Sequence, residues 1–330
     1  MPIATLADVM TVGFADFKGE LAALLAALFW SISATIYART GTTIPALELN
    51  ALKGAIATGF LLITLAIGNP ELPDLPWQPI GLLLISGVIG IGLGDTAFLA
   101  ALQALGTRRT LLLETIAPPL TAILATVTLS ERLPVVAWGA IALTVAGIFW
   151  VISERAPQES PQDRRAPIAI GILWALLAAI SQASGVVLTR AALYASAISP
   201  LWSALLRLVA GTLCAVILLQ IRRQPLTVLA AVAKRSGPAS PVQPWRMLGA
   251  IALAALLGTY LGIWLQQTAL KFTSAGIAQT LLATSPLFIL PLDALRGDRP
   301  NQRAILGAAI ATAGVALLFL AASFGGPGSA

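Results

Sequence analysis

The chain has 330 residues, of which 58% are hydrophobic and only 10% are charged. A soluble domain typically carries about 25% charged residues. These proportions exclude a soluble enzyme and a disordered chain, and they favour a helical protein that crosses the lipid bilayer many times. The net charge of +6 does not indicate nucleic-acid binding, because the cytoplasmic loops of membrane proteins carry the same basic excess.

Few reactive side chains are available for chemistry. The chain contains a single cysteine, Cys214, and no histidine. An internal disulfide, a histidine-based zinc site and a histidine-containing nucleophilic triad are therefore excluded. The sequence has no GxxxxGK[ST] phosphate loop, and no Lys or Arg precedes Lys18, so the N-terminus does not resemble a signal peptide. We expect no cofactor and no metal.

Apolar segments along the chain predict ten membrane-spanning helices. They cover about residues 20–38, 46–67, 79–103, 108–129, 135–153, 167–189, 200–221, 247–268, 275–294 and 304–323. A polar, proline-containing segment over 154–166 separates two groups of five. The predicted organisation is an N-terminal tail 1–19, a first unit 20–153, the linker 154–166, a second unit 167–323 and a C-terminal tail 324–330.

The two units repeat one another. Pro119 and Pro286 are 167 residues apart, as are Glu131 and Asp298. Earlier in each unit the offset is 168, at which Gly90 and Gly94 match Gly258 and Gly262. The same order of features in both units indicates a duplication.

The distribution of basic residues predicts the orientation. The loops that follow the odd-numbered spans carry 14 Lys and Arg residues, whereas the opposite side carries four. The positive-inside rule therefore places both termini outside the cytoplasm. Because each unit has an odd number of spans, the second is inverted relative to the first. Inverted repeats with a binding site between them are typical of transporters.

Short motifs carry a family resemblance. They are the run from Gly94-Asp95 to Arg108-Arg109, then Glu114-Thr-Ile-Ala-Pro118-Pro119 and Ser130-Glu131-Arg132-Leu133, with a second copy at Ala269 to Ala275, Thr284-Ser285-Pro286 and Gly297-Asp298-Arg299. They resemble the EamA family of the drug/metabolite transporter superfamily. The resemblance implies an all-α membrane protein with ten helices in two inverted repeats around a central cavity. It also implies export or exchange of small metabolites. The second copy lacks acids at the positions of Asp95 and Glu114.

Four charged side chains fall inside predicted spans, namely Lys53, Asp95, Glu114 and Arg207. A charge at mid-membrane costs about 3 kcal/mol on insertion scales, so such residues usually face a cavity or an ionic partner. Spans three and four should form a hairpin turning near 105–107. That hairpin puts Lys53 at the depth of both carboxylates, which it can bridge. Arg207 matches Lys53 in the second unit, and inversion places it nearer the outer face.

Each of these charges also has a structural interpretation. Asp95 could cap a helix broken after Gly94, Glu114 could pair with Arg109, and Lys53 could extend toward the cytoplasmic face. Under the functional interpretation the four residues contact a substrate or a coupling proton. The sequence leaves both interpretations open.

Further candidates for the cavity are aromatic or polar side chains within spans. The aromatic ones are Trp30, Tyr37, Trp174, Tyr260 and Trp264, which suit stacking on an organic substrate. The polar ones are Gln182, Gln266 and Gln279, whose alternative role is to hydrogen-bond neighbouring helices.

Prolines, glycines and turn acids have structural roles in this scheme. Pro118, Pro119 and Pro286 should kink spans four and nine, as packing features or as hinges. Gly90, Gly94, Gly258 and Gly262 should allow close helix packing. Glu131 and Asp298 should stabilise turns or act as gate elements.

We therefore interpret the sequence as a multi-pass plasma-membrane transporter that moves a small organic metabolite by alternating access. A proton gradient is a candidate energy source, with Asp95 and Glu114 as proton carriers. The substrate cannot be read from the sequence. The alternatives are a flippase for a lipid-linked substrate and a membrane-embedded lipid-modifying enzyme. The enzyme is disfavoured because HExxH and GxSxG motifs are absent.

Overall fold

The computed structural model describes residues 17–40, 44–68, 77–154, 168–194, 196–223, 244–294 and 302–324. Every element within these ranges is helical. The predicted tails and linker lie largely outside the described residues, and Asp298 and Arg299 lie wholly outside them.

Within the described ranges, the first half forms six α-helices and one π-helical segment. They are α1 (Lys18–Thr40), α2 (Ala46–Gly68), α3 (Trp77–Ser86), the π-helical segment π1 (Gly87–Asp95), α4 (Thr96–Glu114), α5 (Ala117–Thr128) and α6 (Val135–Glu154). Helix α3 continues through π1 into α4, so one long helical stretch carries a wider turn in its middle.

The second half repeats this arrangement. Its elements are α7 (Ile168–Tyr194), α8 (Pro200–Ile221), α9 (Pro244–Ala254), the π-helical segment π2 (Ala255–Leu261), α10 (Gly262–Phe272), α11 (Ala275–Leu282), α12 (Ser285–Ala294) and α13 (Gln302–Phe324). The two π-helical segments begin 168 residues apart, at the offset that the glycine pattern of the sequence predicts.

Seven helical stretches of the described chain are long and apolar enough to cross a membrane. Two of the three other predicted spans contain short helices, and the third, α6, enters the comparison only over its apolar stretch Val135–Val151. Helix α5 has 12 residues, and the segments α11 and α12 have 8 and 10. Large apolar side chains such as Ile67 and Val127 are 81% and 75% exposed, which suits a surface in contact with lipid.

The segment Thr96–Glu114 bends between its two ends. A straight helix of 19 residues would separate its ends by about 28 Å. Asp95 and Glu114 nevertheless line the same cavity. We therefore infer a change of chain direction within α4, in the region where the sequence predicts a hairpin.

Helices of the two halves pack against each other in matching pairs. Helix α6 packs on α13 and α2 packs on α8. Helix α1 packs on π2 and α10, while α7 packs on π1 and α4. Exchanging the halves reproduces the same pairs, so the core lies between the halves and not within either one.

Small residues bring the backbones of α6 and α13 into close contact. A Cβ atom built on Gly147 would lie 2.7 Å from the Cα of Ala311 and 2.7 Å from the carbonyl oxygen of Gly307. Both are backbone atoms and cannot rotate away. Gly139, two turns earlier on α6, would meet nothing within 4 Å.

These two glycines provide a matched test of the packing. We expect Gly147→Ala to lower the thermal unfolding midpoint of the purified protein, since overpacking a tight contact costs about 1–3 kcal/mol. Gly139→Ala should leave the midpoint unchanged or raise it slightly, because Ala favours the helix over Gly. Equal effects of the two substitutions would contradict the close contact between α6 and α13.

Candidate functional site

A cavity of about 220 Å³ lies between the two halves. Apolar side chains form much of its wall, and charged or polar groups enter it from both halves. Nine of the twelve side chains that the sequence names as cavity candidates line it, namely Trp30, Tyr37, Lys53, Asp95, Glu114, Gln182, Arg207, Gln266 and Gln279. The structure therefore brings all four intramembrane charges into one cavity.

Lys53 and Asp95 form an ion pair at the wall of the cavity. Lys53 comes from α2 and Asp95 ends π1, and their side chains are 11% and 18% exposed. Asn50, one turn before Lys53, donates hydrogen bonds to the carbonyl of Ile91 at 2.8 Å and to Thr96 Oγ1 at 2.9 Å. These bonds fix α2 against π1 and so hold Lys53 opposite Asp95.

The π-helical segments were not predicted from the sequence. A π-helical turn leaves carbonyl groups without their usual partners in the helix, and the side chain of Asn50 meets two of them, on Ile91 and Gly92. The alternating glycines of this segment are compatible with many helical geometries. The sequence therefore indicated a close contact here but not the change in helical pitch.

All four predicted packing glycines make close contacts between the halves. A Cβ on Gly94 would lie 3.0 Å from the Cβ of Ser181 on α7, and Gly258 and Gly262 face Ser33 and Trp30 on α1. The carbonyl of Gly258 also accepts a hydrogen bond from Trp30 Nε1 at 2.8 Å. This bond fixes the Trp30 indole at the cavity wall.

Gly90 contacts α7 and also leaves room for the side chain of Arg207. A Cβ on Gly90 would lie 3.2 Å from Arg207 Nη2. The Arg207 side chain is only 1% exposed, and its Nη1 donates a hydrogen bond to Gln266 Oε1 at 3.2 Å. The Nε atom is buried and has no hydrogen-bond partner among the described residues.

Arg207 and Lys53 line the same cavity. That the two cations lie near opposite mouths of this cavity stays a prediction. Helix α8 approaches π1 closely, where Gly87 faces the backbone of Arg207 and Gly211 faces Ile91. Helix counting from loop positions cannot detect such an approach.

Glu114 lies at a break between helices. Helix α4 ends at Glu114 and α5 begins at Ala117. Among the described residues, Glu114 Oε1 has no hydrogen-bond partner, although the atom is buried. Lys53 pairs with Asp95, so the predicted bridge from Lys53 to both carboxylates is not formed.

The second half has the equivalent break between α11 and α12. Helix α12 begins at Ser285, 168 residues after Ala117. Pro118 and Pro286 each occupy the second position of these helices, one residue from the pairing of Pro119 with Pro286 in the motif comparison. Pro286 lines the cavity, but neither Pro118 nor Pro119 does. These two lie in the first turn of α5, where proline is well tolerated.

Tyr260 and Trp264 are not among the residues that line this cavity, and their role as substrate contacts stays a prediction. Tyr260 packs against Phe60, with ring centroids 5.9 Å apart, and its hydroxyl lies 2.7 Å from Thr64 Oγ1. Trp264 packs beside Tyr260 at 6.1 Å. Tyr260 on π2 and Trp264 on α10 pack against an apolar cluster that includes Ala57, Leu61 and Leu65 of α2.

Several cavity residues were not identified from the sequence. Examples are Ser33, Phe98, Thr115, Thr259 and Ser285. Hydroxyl and phenyl groups are common in membrane helices, and no spacing signal distinguishes these. Among the described residues, no group of three or more Cys, Asp and Glu could hold a metal ion.

A second polar cluster lies outside the cavity and joins the two halves. Glu131, 5% exposed, accepts a hydrogen bond from Arg190 Nε at 2.8 Å and another from the backbone N–H of Ala275 at 3.1 Å. Arg190 Nη1 donates to the carbonyls of Leu270 and Lys271 at 2.9 and 3.2 Å. We call Glu131, Arg190 and these backbone partners the inter-half cluster.

Comparisons with known proteins agree with this architecture. The model of the EamA-like transporter family matches residues 17–153 and 169–320. No curated protein sequence gives a significant match. One crystal structure superimposes with a TM-score of 0.68 at 19% sequence identity, over 92% of this chain and 96% of that chain. At this identity the likeness concerns the fold alone. With one family match over each half, the chain belongs to the EamA-like transporter family of the drug/metabolite transporter superfamily and is a multi-pass membrane transporter.

Proposed function

We propose that the protein moves a small organic metabolite across the plasma membrane by alternating access of the cavity between its two halves. The observation that carries this proposal is the gathering of four charged side chains in one cavity that both halves line. Saturable counterflow of radiolabelled metabolites in proteoliposomes tests it. A complete lack of counterflow over a broad metabolite panel, with correctly folded protein, would contradict it.

The proposed fold is ten membrane helices in two inverted repeats, 20–153 and 167–323. The matching helix pairs between halves support it, since a twofold axis in the membrane plane produces such an exchange. The two helix breaks support it as well, because equivalent interruptions near the midplane are a feature of inverted-repeat transporters.

The inter-half cluster is the proposed gate at one end of the cavity. Gln266 and Gln279 line the cavity, and Leu270 and Ala275 lie one helical turn beyond them, at about 6 Å along each helix. Arg190 of α7 donates a hydrogen bond to the carbonyl of Leu270, and Glu131, in the turn before α6, accepts one from the N–H of Ala275. Arg190 and Glu131 are bonded to each other. Because Glu131 belongs to the first half and its partners to the second, rocking of the halves must break these contacts.

We expect Glu131→Gln to open this end of the cavity more often, because the neutral amide weakens the bond to Arg190. The readout is a cysteine at Ser285, which lines the cavity, in a Cys214→Ser background. A membrane-impermeant thiol reagent added outside the cell should modify Cys at 285 about tenfold faster in Glu131→Gln, as a loss of roughly 1.4 kcal/mol from the closed state predicts.

The matched control for this experiment is Arg132→Gln. Arg132 neighbours Glu131 in the same turn, but its side chain is exposed. Its substitution should leave the modification rate unchanged. Equal rates of thiol modification in Glu131→Gln and in the unsubstituted background would show that the inter-half cluster is a fixed structural contact and not a gate.

Proton coupling is proposed to depend on Glu114. Its carboxyl oxygen Oε1 is buried and unpartnered among the described residues, whereas Asp95 is paired with Lys53. Protonation of Asp95 would leave the buried Lys53 without its counter-ion. Protonation of a carboxyl that has no ionic partner leaves no such unpaired cation.

We expect Glu114→Gln to lose uptake driven by a proton gradient while keeping substrate exchange at equal pH, because the amide retains the shape but carries no proton. Asp95→Asn should also lower the amount of folded protein, since removing one partner of a buried pair costs about 3–5 kcal/mol. Glu20→Gln is the control, because Glu20 is buried but does not line the cavity. Full proton-driven uptake in Glu114→Gln would exclude the carrier role.

The proposed orientation has both termini outside the cytoplasm. Single cysteines at Ser240 and Ser329, which lie outside the described residues, test it in a Cys214→Ser background. An impermeant thiol reagent added to intact cells should label position 329 and spare position 240. The opposite labelling pattern would show that both termini lie in the cytoplasm and would contradict the proposed orientation.

A further inference from the structure

The guanidinium of Arg207 is a buried cation of the cavity that has no ionic partner among the described residues. Its side chain is 1% exposed, and its Nη1 donates to the neutral oxygen of Gln266 at 3.2 Å. Its Nε has no hydrogen-bond partner among the described residues. An arginine stays protonated in proteins, so burial without an adjacent carboxylate is unfavourable.

The acids of the cavity do not meet this need. Asp95 is paired with Lys53, a bond between residues of the same half. Within the described chain, Arg207 forms no ion pair with Asp95 or with Glu114. The Lys53–Asp95 pair is neutral as a unit, so Arg207 is the cation left for an incoming group.

The surroundings hold the guanidinium in place. The backbone of Arg207 packs against Gly87, and its Nη2 lies beside Gly90, where a side chain would fill the space. A guanidinium presents paired N–H donors that match the two oxygens of a carboxylate in a bidentate pair. A fixed guanidinium loses little freedom on forming such a pair, which favours binding.

We propose that Arg207 is the anchor for the carboxylate of the transported substrate, and that the substrate is therefore a small organic carboxylate. This inference rests on the proposed transport function and names the substrate class of that same cavity. One free cation suits a singly charged group, whereas a phosphate monoester, with nearly two charges, would require a second. The apolar wall beside Arg207, which includes Ile91 and Ile263, suits a hydrocarbon body.

Ligand-induced thermal stabilisation of the purified full-length protein tests the assignment. The probes are short aliphatic and aromatic carboxylates, each paired with its primary amide, together with inorganic phosphate. Several carboxylates should raise the unfolding midpoint of the unsubstituted protein in a saturable way, and their amides should not. Arg207→Gln should weaken the apparent affinity for carboxylates by about tenfold to a hundredfold. Arg207→Lys should give an intermediate loss, because it keeps the charge but not the paired donors.

A second variant tests the proposal independently, in case Arg207→Gln does not fold. Gln266→Glu places a carboxylate within reach of Arg207 Nη1, so the protein supplies its own counter-ion. We expect Gln266→Glu to unfold at the same or a higher temperature without ligand and to lose stabilisation by carboxylates. Gln266→Leu, the matched neutral control, should still prefer carboxylates to amides.

The outcomes separate this inference from the transport function. Carboxylates that bind at Arg207 without counterflow in proteoliposomes would support the anchor and overturn the transporter proposal. Counterflow of neutral or cationic solutes, without stabilisation by any carboxylate, would overturn the anchor and leave the transporter intact. Equal stabilisation by phosphate and carboxylates, or unchanged carboxylate binding in Gln266→Glu, would also overturn it.

Discussion

The high free energy of an ionic charge in lipid governs the arrangement of this protein. Lys53, Asp95, Glu114 and Arg207 each lie within apolar helices, and the structure gathers all four around one cavity. The ion pair between Lys53 and Asp95 satisfies two of them. Because π1 provides Asp95 and also the glycine surface on which α8 packs, this pair and the position of Arg207 depend on the same segment.

Much of this organisation was predictable from the sequence because it follows from hydropathy and from the cost of charge in lipid. The duplicated units and the shared cavity of Lys53 and Asp95 needed no knowledge of side-chain packing. The positions of Arg207, Tyr260 and Trp264 did require it. Arg207 approaches the first half because glycines remove the intervening side chains, and Tyr260 and Trp264 turn toward α2. Neither effect leaves a periodic signal in one sequence.

The scaffold is nearly symmetric, but the chemistry it carries is not. Both halves have a π-helical segment at the same offset and a broken helix at the cavity. The acids and Lys53 come from the first half, whereas Arg207 and its partner Gln266 come from the second. A symmetric scaffold suits two access states of similar energy, and an asymmetric set of charges suits a substrate whose ends differ.

The polar contacts fall into two classes with respect to motion between the halves. The Lys53–Asp95 pair lies within the first half, and the Arg207–Gln266 bond lies within the second. A rigid-body movement of the halves preserves both. The Glu131–Arg190 pair crosses the boundary, so the same movement must break it. This division allows the groups that face the substrate to remain ordered in every access state, while the free energy difference between states depends on contacts outside the cavity.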